Sequence, residues 1–248
     1  WSGEQLMAAL QFTGKGSDTY NRTIKLMRNI DMNGMNYNWS YMEIFDHCTL
    51  DGNGFAIYNL GCYHSRFFDT MGASNVTDLT FVSPKLVGGA SYNIQGTVIS
   101  HTDTYVATLF GVIIAYSEQE ISAVQNLSVK GGVFFSDQNI AAPISLQRDV
   151  SLPNNAAIIS SYHNTTDNCS VQDVLVYSAK HAAGFMSHMD RIDVTNSYTI
   201  DSEVYNVQGH GGGFFSCADY DGLAENCFTN NEVYGSLHSG GFIGMAGG

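Results

Sequence analysis

Three histidines recur at one position of a repeated phrase near the end of the chain. The phrase is Val-Tyr followed by His-x-x-Gly-Phe, and its histidines are 29 and 28 residues apart: His181, His210 and His238. Tyrosines precede them by four or five residues: Tyr177, Tyr205 and Tyr234. Such a surface stripe could bind a sugar or a receptor through its rings, or a transition metal through imidazole nitrogens. Ladder stacking without a ligand is the alternative. Side chains about 5 Å apart along a row do not converge on a tetrahedron, which disfavours metal.

Aspartates occupy a second repeated position. Asp190 and Asp219 each follow the glycine of the phrase by six residues. Adjacent repeats would bring their carboxylates about 5 Å apart, close to the separation found in retaining glycosidases, so they are candidate catalytic residues. With Asp193 and Asp221 they would equally suit a bound Ca²⁺. Turn-forming aspartates in solvent are the alternative. No Ser/His/Asp, phosphate-loop or HExxH pattern occurs, and apart from this candidate Ca²⁺ no cofactor is predicted.

A repeat architecture must position these residues. The period is built from Val, Tyr, Phe, Ile and Thr, broken by Gly, Asn, Asp and Ser, which indicates strands. The pattern predicts an all-β fold, a parallel β-helix (β-solenoid) with successive coils about 4.8 Å apart. Val and Phe of the phrase would stack inward, Tyr would point outward, and Asn would form a corner column. The predicted stacks are Val176, Val204 and Val233; Phe185, Phe214 and Phe242; and Asn168, Asn196 and Asn226.

The beginning of the chain predicts a cap, and two later stretches predict insertions. A helix is expected over 2–12, where Ser2 and Gln5 form a capping box and Leu6, Met7 and Leu10 form an apolar face. It would cover the first coil, so 1–22 is the cap and 23–248 the solenoid. The repeat is lost near 83–108 and 131–156, which are expected to be inserted loops used in recognition or simple decoration.

Composition narrows the functional classes. The net charge of −13, with ten Lys and Arg, disfavours nucleic-acid binding because phosphates would stay unneutralised. The sequence has no apolar run of 18 residues, so it predicts no membrane-spanning helix. The chain starts at Trp1 and ends within a repeat, so we expect a mature or partial piece of a longer protein.

Several phrases resemble the GLUG-repeat family of bacterial surface proteins. The first half of the family pattern is similar to Ile24-Lys-Leu-Met-Arg-Asn-Ile-Asp-Met-Asn-Gly34 and Leu50-Asp-Gly-Asn-Gly54, and the second half to Gly-Gly-Phe-Phe215, Glu225-Asn-Cys227 and Gly-Gly-Phe-Ile-Gly244. The resemblance covers 1–60 and 105–248. It implies a right-handed parallel β-helix on secreted proteins, including adhesins and the non-catalytic part of immunoglobulin-cleaving proteases. It carries no catalytic residues onto this chain.

These observations predict a non-catalytic extracellular β-solenoid module of a surface adhesin or fibre, bacterial or phage. It would mediate attachment or display, on the cell exterior or the virion surface. Its expected partners are a cell-surface glycan, a protein receptor or neighbouring chains of a fibre. The alternative is a carbohydrate-active β-helix enzyme, a polysaccharide lyase or tailspike-like glycosidase. A third hypothesis is a scaffold segment of a large secreted protease.

Overall fold

The computed structural model describes most of the chain. The described residues are 2–13, 21–33, 45–62, 66–88, 91–94, 97–100, 106–114, 122–137, 140–144, 147–148, 164–189, 192–218, 222–235 and 237–247. They form one helix, α1 (Gly3–Thr13), and short strands. The strands of the first half are β1 (Arg22–Lys25), β2 (Ile30–Asp31), β3 (Phe45–Asp46), β4 (Cys48–Asp51), β5 (Ala56–Tyr58), β6 (Gly61–Cys62), β7 (Arg66–Gly72), β8 (Asn75–Val82), β9 (Lys85–Gly88), β10 (Ser91–Ile94), β11 (Thr97–Ser100) and β12 (Val106–Ile114).

The strands of the second half continue the same sheets. They are β13 (Ala123–Lys130), β14 (Val133–Ser136), β15 (Ile140–Ala141), β16 (Gln147–Arg148), β17 (Asn164–Asp167), β18 (Ser170–Gln172), β19 (Leu175–Ser178), β20 (His181–Ala183), β21 (Met186–Met189), β22 (Ile192–Thr195), β23 (Tyr198–Asn206), β24 (His210–Gly212), β25 (Phe215–Ala218), β26 (Leu223–Glu225), β27 (Phe228–Gly235), β28 (His238–Gly240) and β29 (Ile243–Ala246).

The predicted N-terminal helix and its capping box are confirmed. The Ser2 amide donates to Gln5 Oε1 at 2.9 Å, and the Gln5 amide donates to Ser2 Oγ at 3.3 Å. Leu6, Met7 and Leu10 are buried, and α1 contacts β1 and β3. The helix therefore packs its apolar face on the first strands. Among the described residues, no helix is long and apolar enough to cross a membrane.

Parallel pairing joins the strands into three sheets, and the prediction of an all-β fold is confirmed. The described strands form a 16-stranded sheet, an 8-stranded sheet and a 3-stranded sheet, which we call the large, second and third sheets. From β17 onward the chain visits them in one order: β17 to β19 are in the large sheet, β20 is in the second and β21 is in the third. The strands β22 to β25 and β26 to β29 repeat that order.

Equivalent residues of successive repeats lie side by side in the core. The longest row in the core holds Ile24, Leu50, Val76, Val124, Thr166, Val194 and Ala224, of which Ala224 is exposed. The valines Val176, Val204 and Val233 form another row, which begins at Cys62 and continues through Leu86 and Phe134. The rings of Phe185 and Phe214 stack with centroids 4.3 Å apart, and those of Phe214 and Phe242 with centroids 5.0 Å apart. The core is thus built from rows of similar side chains.

The predicted asparagine column lies at a corner with left-handed backbone. Its φ angles are between 50° and 55° in Asp78, Asn126, Asn168, Asn196 and Asn226. The Asn168 amide donates to Asn126 Oδ1 at 2.8 Å, and the Asn226 amide donates to Asn196 Oδ1 at 3.2 Å. Asn and Asp tolerate this conformation, and their side chains also bond from one repeat to the next. This explains why the position keeps the same residue type.

The two predicted insertions include residues that belong to the sheets. Within 83–108, β9 pairs in register with β14, and the antiparallel hairpin of β10 and β11 lies outside the parallel sheets. Within 131–156, β14 pairs with β19 and β15 with β20. The predicted ranges were therefore too wide at these strands, because the local phrase changes there while the pairing continues.

A buried hydroxyl in the longest row gives the first prediction. Thr166 is fully buried beside Val124 and Val194, and its Oγ1 has no hydrogen-bond partner among the described residues. Thr166→Val should raise the free energy of unfolding by about 1 kcal/mol, because it removes an unsatisfied buried hydroxyl at nearly constant shape. Chemical denaturation monitored by circular dichroism measures the change.

The matched control is Thr199→Val. The Thr199 hydroxyl donates to the Gly184 carbonyl at 3.2 Å and accepts from the Asn231 amide at 2.9 Å. This substitution should lower the free energy of unfolding by about 1–3 kcal/mol, since both partners lose a hydrogen bond. Equal effects of the two substitutions would contradict the hydrogen-bond assignment.

The glycine column of the phrase gives the second prediction. A Cβ at Gly213 would overlap the carbonyl oxygen of Gly241 in the next repeat, whereas a Cβ at Gly241 meets nothing within 4 Å. Gly213→Ala should therefore lower the free energy of unfolding by about 1–3 kcal/mol through overpacking, and Gly241→Ala should leave it nearly unchanged. Denaturation midpoints of both variants test this, and a Gly213→Ala protein as stable as the wild type would refute the close approach.

Candidate functional site

The three predicted histidines form one row in the second sheet. His181 in β20 pairs with His210 in β24, which pairs with His238 in β28. The ring centroids are 5.2 Å apart for His181 and His210, and 4.9 Å apart for His210 and His238. The Nδ1 atoms of His210 and His238 are 3.0 Å apart, close enough for one to donate to the other. His238 is exposed, whereas His181 and His210 are half-buried, so the row is only partly a surface stripe.

A second histidine and a cysteine join His181 from the third sheet. The His188 ring lies 4.7 Å from the His181 ring, centroid to centroid, and Cys217 Sγ is 3.5 Å from His181 Nδ1. One nitrogen from each histidine and the thiol sulfur all lie within 4.8 Å of one another. Cys217 is buried, and His188 is half-buried. These three side chains, which we call the His–His–Cys cluster, are of the types that hold a transition metal.

The electrostatics of this cluster favour neutral imidazole. Burial, and after it charge repulsion from the neighbouring His188, His210 and Lys180, lowers the pKa of His181 to about 4. A neutral ring keeps a lone pair on one nitrogen, which can accept from the Cys217 thiol or bind a metal ion. At neutral pH His181 is therefore an acceptor or a ligand, and not a cation.

The tyrosines of the phrase form an outer row on the large sheet. Tyr177 pairs with Tyr205, and Tyr205 with Tyr234. The rings of Tyr205 and Tyr234 stack 4.7 Å apart at 9°, and Tyr177 stacks on Phe135 at 4.9 Å and 11°. We call Phe135 and these three tyrosines the aromatic row. Tyr234 is exposed, and the other three rings are half-buried.

Glutamates accompany the last two tyrosines. Tyr205 Oη donates to Glu203 Oε2 at 2.8 Å, and Tyr234 Oη donates to Glu232 Oε2. These hydrogen bonds raise the pKa of Tyr205, and that of Tyr234 to about 12, so the hydroxyls stay protonated and each carboxylate keeps further lone pairs for a ligand. The outer face therefore offers repeated acceptor oxygens to a ligand.

The aspartate candidates are only partly placed. Asp190, Asp219 and Asp221 lie outside the described residues. Asp193 lies in β22 of the large sheet, paired with Thr165 and Leu223. Its neighbours along the row are therefore a hydroxyl and an apolar side chain. The catalytic and calcium interpretations of these aspartates stay predictions.

His188 and Cys217 were missed by sequence reasoning, although the sequence contains a signal for them. Each lies seven residues after a histidine of the row, His181 and His210 respectively, and Met245 lies seven residues after His238. Sequence reasoning compared only residues at the same position of each repeat, which form one row. The cluster forms between two rows, where the second and third sheets meet.

The fold and outer face define an all-β protein of laterally paired parallel repeats. No protein-family model matches the chain, and none of the curated proteins does. Among solved structures, it is similar to a candidate immunoglobulin A1 protease from Bacteroides ovatus. The TM-score is 0.67 at 14% sequence identity, over 98% of this chain and 70% of that one. At this identity the likeness shows the fold alone.

The lowered pKa of His181 gives the third prediction. The unfolded chain has the ordinary histidine pKa of 6.5 and the folded chain about 4, so the unfolded state binds more protons between these values. Stability should therefore be full above pH 6.5 and fall as the pH drops towards 4. In chelator-containing buffer, His181→Gln should flatten the fall in denaturation midpoint, and the exposed His238→Gln should flatten it less. An unchanged pH profile for His181→Gln would contradict this.

Proposed function

We propose that the chain is a non-catalytic, extracellular β-solenoid module of a surface adhesin or fibre, winding as a right-handed parallel β-helix and serving attachment or display. The observation that carries this proposal is the lateral register. From β17 onward the chain visits the three sheets in a constant order, and like residues pair from repeat to repeat. Each visit to all three sheets would be one coil of the solenoid. A rod built this way is rigid without needing an active site.

The aromatic row supports an attachment role. Tyr205 and Tyr234, with Glu203 and Glu232, present hydroxyl–carboxylate pairs at a regular spacing along the large sheet. Acceptor oxygens beside aromatic rings on a rigid face suit the hydroxyls of a neutral cell-surface glycan or the donor groups of a protein receptor. The net charge of −13 disfavours an anionic ligand on this face. We therefore place the contact surface along the aromatic row.

The likeness to the Bacteroides ovatus structure supports a second candidate function, the scaffold segment of a secreted protease. That protein is described as a candidate immunoglobulin A1 protease. A scaffold of this kind would hold an antibody substrate without cleaving it. Incubation of the 248-residue chain with immunoglobulin A1 separates the two candidates. Retention of intact antibody would favour the scaffold, and glycan binding without antibody retention would favour the adhesin.

The fourth prediction tests the contact surface. On a glycan array and on intact cells, Tyr205→Ala should weaken binding at least about fivefold, as expected when a contact residue worth more than about 1 kcal/mol is removed. Phe228→Ala is the matched control, because it removes another aromatic ring that stacks on the large sheet outside the aromatic row. Equal losses in the two variants would argue against the aromatic row as the contact surface.

Cleavage of a polysaccharide by the chain would overturn the proposal of a non-catalytic module. The chain should release no reducing ends from a panel of polysaccharides. Release by the wild-type chain that disappears in Asp190→Asn would establish the carbohydrate-active enzyme instead.

A further inference from the structure

Metal-ligating residue types recur at one offset in three consecutive repeats. His188, Cys217 and Met245 lie seven residues after the histidines of the row, and they pair laterally in β21, β25 and β29. Their shapes differ, since one is a ring, one a small thiol and one a flexible thioether. Their shared property is a nitrogen or sulfur donor, the property that selects transition metals.

The geometry of the His–His–Cys cluster fits a metal ion. Cys217 Sγ and His181 Nδ1 are 3.5 Å apart. A tetrahedral zinc site, with bonds of about 2.3 Å to sulfur and about 2.0–2.1 Å to nitrogen, needs about 3.6 Å between these atoms. The donor atoms of all three residues lie within 4.8 Å of one another. Side-chain rotations that move these atoms by about 1 Å bring all three to bonding distance of one ion. The half-buried rings of His181 and His188 leave a route of entry beside the buried thiol.

We propose that His181, His188 and Cys217 bind one thiophilic transition-metal ion, zinc(II) or copper(I). Two imidazoles and a thiolate suit these ions, whereas the hard cations Ca²⁺ and Mg²⁺ prefer oxygen ligands. On binding, the thiol releases its proton to solvent and the sulfur bonds the metal as thiolate. Three protein ligands leave a fourth coordination position, and the thioether of Met245 lies in the strand next to Cys217.

Such an ion would strengthen the link between two sheets that the contact of Cys217 Sγ with His181 Nδ1 already joins. His181 and His188 belong to one repeat, and Cys217 to the next. His181 is in the second sheet, and the other two are in the third. One metal ion would therefore lock two sheets and two repeats together, and would stabilise the folded chain by an amount that grows with the logarithm of the free-ion concentration above Kd.

The test measures metal content on the 248-residue chain without a polyhistidine tag. The chain is stripped with chelator, supplied anaerobically with Zn²⁺, Cu⁺ or Ca²⁺, and passed over a desalting column before elemental analysis. We expect about one zinc or copper ion per chain and no retained calcium, in line with a three-ligand N/S site. Separate zinc and copper arms identify which ion binds more tightly.

Variants assign the ligands. Cys217→Ser and His188→Asn should each weaken binding at least about a hundredfold, because even outer-sphere partners of a metal are worth 10–100-fold. The matched controls are Cys227→Ser and His238→Gln, which alter a cysteine and a histidine outside the cluster and should bind as the wild type does. Equal loss in Cys217→Ser and Cys227→Ser would overturn the assignment. A wild-type chain that retains no zinc or copper would overturn the site.

A second readout does not depend on the folding of the variants. Cobalt(II) bound in the wild-type chain should give a thiolate-to-cobalt charge-transfer band in the near ultraviolet and the visible bands of a tetrahedral ion. Zinc should raise the thermal unfolding midpoint of the wild type, and its removal should reverse the rise. Bound cobalt without the charge-transfer band would exclude Cys217 as a ligand and refute the proposal.

Discussion

The structure depends on parallel pairing in register between successive repeats. This pairing sets equivalent residues side by side at about 4.8 Å, so every side chain has the same position of the next repeat as its neighbour. Each side chain must therefore pack against its counterpart in the next repeat, and a residue that packs against itself can fill the same position repeatedly. Phenylalanine meets this condition through stacked rings, as in Phe185 and Phe214, and asparagine meets it through an amide that donates along the column, as in Asn168 and Asn126. Glycine meets it where the backbones approach too closely for any Cβ, as at Gly213.

Corners impose a second requirement, because the strand ladder breaks there and leaves backbone amides to satisfy. Buried hydroxyls of the next repeat meet it. The Cys169 amide donates to Ser197 Oγ at 3.0 Å, and the Val174 amide donates to Ser202 Oγ at 3.2 Å. Ser74 takes the same part earlier in the chain, accepting from the Cys48 amide at 3.1 Å. Serine in this core is thus a bonding partner for the backbone, and its burial carries no unsatisfied polar group.

The sequence revealed the rows but not how the rows face one another. A period of 28 to 30 residues was enough to place the valines, phenylalanines, tyrosines and histidines in their files, since each file is one position of the repeat. It could not show that the file of His181 turns towards the file of His188 and Cys217, because that contact depends on the angle between two sheets. The repeat spacing also failed to predict β14 and β15, where the repeated phrase changes although the strands still pair with the next repeat.

The need for self-compatible neighbours makes one file informative. Packing alone favours similar shapes in consecutive repeats, and several rows keep one residue type, with Phe beside Phe, Tyr beside Tyr and Asn beside Asn. The file of His188, Cys217 and Met245 does not, since its three side chains differ in volume, branching and polarity. They agree in carrying a nitrogen or sulfur atom that can bind a transition metal. Other rows also change shape, as where Phe134 lies beside Val176, but there the shared property is an apolar side chain. In this row the shared property is a donor atom, which connects it with the histidine row beside it.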